Sequence, residues 1–188
     1  MEKNEISSIA EYLTSQIKLK KNKLQKNYLI ILTGIPGSGK TILSEELEKN
    51  FNFIRISTDK IKEYLIKKRY NFLLKDLFAI QEKIFKLLMK KKVNVISDSN
   101  SDLTKYRNKL KKLSKNYHYI PISVYIKVNL ETAYQRVIKR KNMKESKRIY
   151  KKIKKFNDSL QIPNEAFILN NNYNKKQFIE EVKKIPLK

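Results

Sequence analysis

Gly34-Ile35-Pro36-Gly37-Ser38-Gly39-Lys40-Thr41 holds all three glycines of the 188-residue chain. The stretch satisfies G-x-x-x-x-G-K-[ST] at every fixed position, the pattern of a loop whose backbone N–H groups cradle phosphates. Its flanks agree. The apolar run Leu29-Ile30-Ile31-Leu32 leads in as a strand, and Leu43, Leu47 and Phe51 follow at helical spacing. Strand, glycine loop and helix in that order aim backbone donors and the positive end of a helix at one anion. Gly34, Pro36, Gly37, Ser38, Gly39, Lys40 and Thr41 are the expected phosphate-binding residues. Lys40 would reach the β- and γ-phosphates, and the Thr41 hydroxyl would ligate Mg²⁺.

Outward from this loop, strands and helices alternate. Ile6, Ile9, Leu13 and Ile17 mark a helix before it, joined to the first strand by the basic connector Lys18 to Lys26. After it come a strand at Phe53–Ile56, a short helix, and a longer helix with Leu77, Ile80, Ile84 and Leu88 on one face. A strand at Val93–Ile96 ends at Asp98 and precedes a helix with Leu103, Tyr106, Leu110 and Leu113. The β-rich run Pro121 to Val128, a helix capped by Asn129, the strand Phe167-Ile168-Leu169 and a closing helix complete the chain. Such alternation predicts an α/β fold of three layers, with a central, mostly parallel sheet of about five strands. No linker or repeat divides residues 1–188, so a single domain is expected, with 1–26 as N-terminal helix and connector.

Composition narrows the chemistry. The chain has no cysteine, which removes disulfides, zinc thiolates and cysteine nucleophiles. The lone His118 falls in an apolar strand pattern and reads as structural. No run approaches the roughly 18 apolar residues of a membrane span, so the expectation is a cytoplasmic protein with no membrane partner. The formal net charge is +25. That balance has two readings: a field that attracts a polyanion such as RNA or DNA, or the lysine-rich profile of AT-biased codons.

Five further residues could carry chemistry by position. Asp59 lies just past the second strand, where a carboxylate can take the proton of an attacking hydroxyl or simply cap a helix. Asp98 ends the third strand, where it can hold Mg²⁺ or fix an acceptor. Arg136 and Arg140 are four apart on one helix face, and only six arginines occur in the chain. A guanidinium fork there can bridge phosphate oxygens as a γ-phosphoryl group moves. Arg107 points to the same edge if its helix starts at Ser101.

In these features the chain resembles the small P-loop kinases that include polynucleotide 5′-kinase, zeta toxins and phosphoseryl-tRNA kinase, over roughly Tyr28 to Leu169. The phosphate loop matches with its proline. Ile56-Ser57-Thr58-Asp59 resembles the strand-end aspartate taken as base, and Ile96-Ser97-Asp98-Ser99-Asn100 with Arg107 resembles the second acidic motif and its trailing arginine. Arg136-Val137-Ile138-Lys139-Arg140 resembles the lid motif. The resemblance implies a P-loop kinase fold with a basic lid at 140–157. It also implies ATP and Mg²⁺ as cofactors, with Lys40, Asp59, Arg136 and Arg140 as catalytic residues. Thr41 and Asp98 would serve the metal, and Asp98, Lys62 and Arg107 the acceptor, expected to be a hydroxyl on a nucleic acid, with a small-molecule kinase of zeta-toxin or metabolite type, or a non-kinase ATP-binding NTPase, as the alternatives. Two positions depart: Lys62 stands where an arginine is usual, and Asp98-Ser99-Asn100-Ser101 replaces D-x-T-N.

Overall fold

The computed structural model describes residues 1–99, 104–144, 146–172 and 174–188, with Lys141 described in its backbone alone. The elements run α1 (Lys3–Ser15), β1 (Tyr28–Thr33), α2 (Lys40–Phe51), β2 (Ile54–Ser57), α3 (Thr58–Lys67), α4 (Leu74–Lys90) and β3 (Val95–Asp98). They continue with α5 (Thr104–Asn116), β4 (Ile120–Lys127), α6 (Leu130–Lys141), α7 (Lys147–Asp158), β5 (Phe167–Asn170) and α8 (Lys175–Val182). The expected Leu103 of α5 and the Asn100-Ser101 pair lie outside the described residues.

The strands form one five-stranded sheet in the order β2-β3-β1-β4-β5, every pairing parallel. All six residues of β1 are buried, as a central strand covered on both faces requires. Strand alternation sorts its side chains into two cores. Leu29 and Ile31 join Val95, Ile56, Ile80, Ile84, Phe85 and Leu88 beneath α1, α3, α4 and α5. Tyr28, Ile30 and Leu32 join Leu43, Leu47, Ile96, Val124, Leu169 and Phe178 beneath α2 and α8. Ile9 and Ala10 of α1 are buried against the first core, and Ile6, Leu13 and Ile17 pack on it, which is the helical face the spacing predicts. A third core sits over the phosphate loop: Ile35 packs with Ala133, Tyr134, Val137, Ile138 and Ile153 of α6 and α7.

The sheet order reverses at β1, whose neighbours β3 and β4 come later in the chain and lie on opposite sides. Ligand sites of open α/β sheets form at such a switch point, outside the strand C-termini. The phosphate loop leaves β1 there. The basic connector is tied down at the other end of the sheet. Buried Asn94 donates to Asn22 Oδ1 at 2.6 Å and accepts from the Tyr28 N–H at 2.7 Å.

Helices α2 to α6 each end, at the C-cap or just beyond, in a non-glycine residue of positive φ: Asn52, Arg69, Lys92, His118 and Asn142. His118 is thus an exposed turn residue at φ 59°, not part of the strand, which begins two residues later at Ile120. Among the described residues no helix is long and apolar enough to cross a membrane.

Candidate active site

Above the sheet switch lies a cleft of about 750 Å³ lined by Pro36, Gly37, Gly39, Lys40 and Thr41 of the loop, Ser57 and Asp59 from the β2–α3 junction, and Asp98 of β3. Arg136 and Arg140 of α6 close one side and Asn171, Asn174 and Lys175 another. The structure therefore brings together residues separated by more than 130 positions in sequence.

Packing sets the loop's shape. Gly37 (φ 85°) has no room for a side chain, because a Cβ would meet the Ala133 carbonyl oxygen of α6. Gly39 (φ 109°) is the N-cap of α2, and a Cβ there would meet the Asn171 side-chain amide. Lys40 is buried, its ammonium donating to the carbonyls of Gly34 at 2.6 Å and Ile35 at 3.1 Å. The lysine thus folds back over its own loop.

Asp59 is exposed in the first turn of α3, and the N-cap position falls to Ser57. Its carboxylate gains from the helix's positive end while facing the cleft. Asp98 is largely buried and engaged by Arg55: Nε donates to its Oδ2 at 2.8 Å, and Nη2 donates to the same oxygen and to Thr41 Oγ1 at 3.3 Å. Arg136 donates to the Asn171 carbonyl at 2.9 Å and to its Oδ1 at 3.3 Å. Burial pulls the Arg136 guanidinium pKa downward. Asn171 in turn donates to the Ser38 carbonyl at 2.6 Å, linking α6 to the phosphate loop. Arg140 is exposed at the cleft.

Two expected acceptor residues lie elsewhere. Lys62 is exposed, and the α3 residues that line the cleft are Asp59, Lys60 and Glu63. At roughly 100° per residue, Asp59, Glu63 and Lys60 span one face of α3, and Lys62 falls about 60° beyond its Asp59 edge. Arg107 is buried under the segment after α7, its Nη2 donating to the Gln161 carbonyl at 2.7 Å and Thr104 Oγ1 at 3.0 Å. It anchors that segment to α5 and is not among the described cleft residues.

Arg55, Asn171, Lys60 and Glu63 escaped the sequence reading. Arg55 carried a signal, since a charge in mid-strand of a sheet covered on both faces is anomalous. Asn171, in an asparagine run, carried none.

The site has the donor types that ATP and Mg²⁺ require. Thr41 and Asp98 offer a hydroxyl and a carboxylate, hard oxygens suited to Mg²⁺, and Arg55 already presents positive charge to both.

Residues 29–163 match the AAA domain family AAA_33, and the chain belongs to that family. A shikimate kinase of Clostridium botulinum (strain Loch Maree / Type A3) is 32% identical over 121 residues, 60% of this chain and 66% of that enzyme. The fold is shared with a putative kinase from Chloroflexus aurantiacus (TM-score 0.61, 17% identity, 85% of this chain and 98% of that one). It is shared likewise with the APS kinase of Mycobacterium tuberculosis, solved with AMPPNP and APS (TM-score 0.59, 17% identity, 84% and 96%). These likenesses mark the three-layer, all-parallel sheet as the P-loop kinase fold.

Proposed function

We propose that this chain is an ATP- and Mg²⁺-dependent phosphotransferase that moves the γ-phosphoryl group to a hydroxyl, acting in the cytoplasm. The observation that carries this is the convergence of Lys40, Thr41, Asp59, Asp98, Arg136 and Arg140 on one cleft. Lys40 exchanges its carbonyl partners for β- and γ-phosphate oxygens as the nucleotide enters. When bound, Mg²⁺, which Thr41 and Asp98 would hold, supplies charge neutralisation across those phosphates. Asp59 accepts the proton of the attacking hydroxyl as the acceptor's oxygen–phosphorus bond forms and the bond to the departing ADP breaks. Arg140 spreads its fork over the transferring oxygens, and Arg136, fixed by Asn171, supports it from below.

The acceptor we propose is a hydroxyl on a nucleic acid. Supporting it, Arg140 begins a basic surface that continues through exposed Lys144 and the exposed Lys147, Arg148, Lys151, Lys152, Lys154 and Lys155 of α7. The second reading, a small-molecule acceptor, draws support from the likeness to shikimate kinase.

Labelled ATP offered with 5′-OH RNA, 5′-OH DNA, total tRNA, shikimate and other small alcohols separates the two. A nucleic-acid acceptor should take label with an affinity that falls steeply with salt. Label confined to a small alcohol, with a rate indifferent to salt, would overturn the nucleic-acid reading and leave the kinase. Asp59→Asn should slow transfer about 10²-fold, the low end for a general base, because a loose phosphoryl transition state asks little of one. An unchanged rate per folded molecule would remove Asp59 from the mechanism.

A further inference from the structure

Register places Arg55 opposite Ile96 and Ser57 opposite Asp98, so Arg55 and Asp98 point to the same side of the sheet, toward α2. The Arg55 side chain is 16% exposed and that of Asp98 9%. One guanidinium thus spans the carboxylate and the Thr41 hydroxyl, the two side chains suited to the metal. An arginine does not lose its charge at any physiological pH, so this cation leaves only by moving. Among the described residues no group of three or more histidines, cysteines, aspartates or glutamates could hold a metal ion. One carboxylate and one hydroxyl are too few ligands for a protein-only Mg²⁺ site, so phosphate oxygens and water must complete it.

We propose that Arg55 is an internal counter-cation that keeps divalent metal out of the nucleotide-free cleft. It holds Asp98 and Thr41 in place and neutralises the carboxylate, and it withdraws from Thr41 only when metal arrives with the phosphates that complete its coordination. Metal entry is thereby coupled to nucleotide entry. This inference rests on the nucleotide reading of the cleft, and its test is independent of turnover.

The test is Mn²⁺ binding, followed by electron paramagnetic resonance on the full chain without nucleotide. Arg55→Gln should bind Mn²⁺ roughly 10–100-fold more tightly than the unaltered protein, the scale on which neighbours of metal ligands act. Adding Asp98→Asn to Arg55→Gln should abolish that gain, and this double variant leaves no unpaired buried carboxylate to unfold the chain. Should Arg55→Gln not fold, Arg55→Lys, which keeps the charge but loses the fork, should show an intermediate gain. Equal Mn²⁺ affinity with and without Arg55, or a gain that survives Asp98→Asn, would overturn the proposal. Binding of a fluorescent ADP analogue, measured alongside, separates the two ideas. A protein that binds no nucleotide refutes the reading of the cleft, whereas nucleotide binding without any change at Arg55 refutes only the counter-cation.

Discussion

The phosphate loop and Arg140 line the same cleft, yet the loop and the proposed lid, which runs from Arg140 into α7, are built on opposite terms. The loop is over-determined. Its glycines are pressed against the Ala133 carbonyl and the Asn171 amide, its lysine is buried, and Ile35 is sunk into the third core. The lid presents side chains, not backbone: Arg140 and the cations of α7 stand in solvent, and α7 is held by Ile153, Ile149, Tyr150 and the Ser146 N–H donated to the Tyr134 hydroxyl. A fixed backbone suits a ligand group common to every nucleotide reaction. Exposed cations suit a surface that closes on whatever the acceptor brings.

The contrast breaks first at Lys40. Lys40→Ala removes the cation proposed to meet the β- and γ-phosphates, and transfer should fall by about 10²–10³-fold, as for loss of a preorganised charge partner. Because Lys40 is buried, its replacement also frees two carbonyls, and a measured melting temperature separates that small structural effect from the chemical one. A variant that stays folded and active would end the kinase reading.

Next in size is Gly37→Ala. The methyl group would collide with α6 in a backbone region that side chains avoid, so the expected cost is about 1–3 kcal/mol, read as a lowered urea midpoint. Lys144→Ala, at an exposed position of the proposed lid, should be nearly silent. If Gly37→Ala is equally silent, the loop is not over-determined and the contrast collapses.

The smallest effect sharpens the lid's side. Arg140→Lys keeps a charge and loses the bidentate fork, and turnover should fall by roughly tenfold with ATP affinity less affected and stability unchanged. A loss seen with one acceptor class and not another would move Arg140 from the phosphates to the acceptor.

Most of the architecture was legible because it follows from periodicity. Leu77, Ile80, Ile84 and Leu88 repeat at the spacing of one helix face, and the short apolar run Leu29 to Leu32, entering a glycine loop, reads as a covered strand. The phosphate loop was legible because glycine, lysine and threonine are demanded by backbone geometry. What stayed hidden depends on how elements meet. Asn171 matters because β5 ends beside Ser38, Arg107 turns inward because the segment after α7 crosses over it, and Lys62 misses the cleft by a rotation of α3. Arg55 was readable in principle, as a charge breaking an apolar strand, but its partner Asp98 emerges only from the register of β2 on β3.

The left-handed residues that end α2 to α6 carry a consequence for how robust this chain is. Glycine is spent solely where the phosphate loop demands it, so Arg69, Lys92 and His118 adopt a backbone state that costs an L-residue roughly 1–2 kcal/mol. The chain tolerates that strain at sites far from the cleft. It therefore holds an unspent margin of durability, which glycine at those three turns would release without touching any residue that lines the cleft.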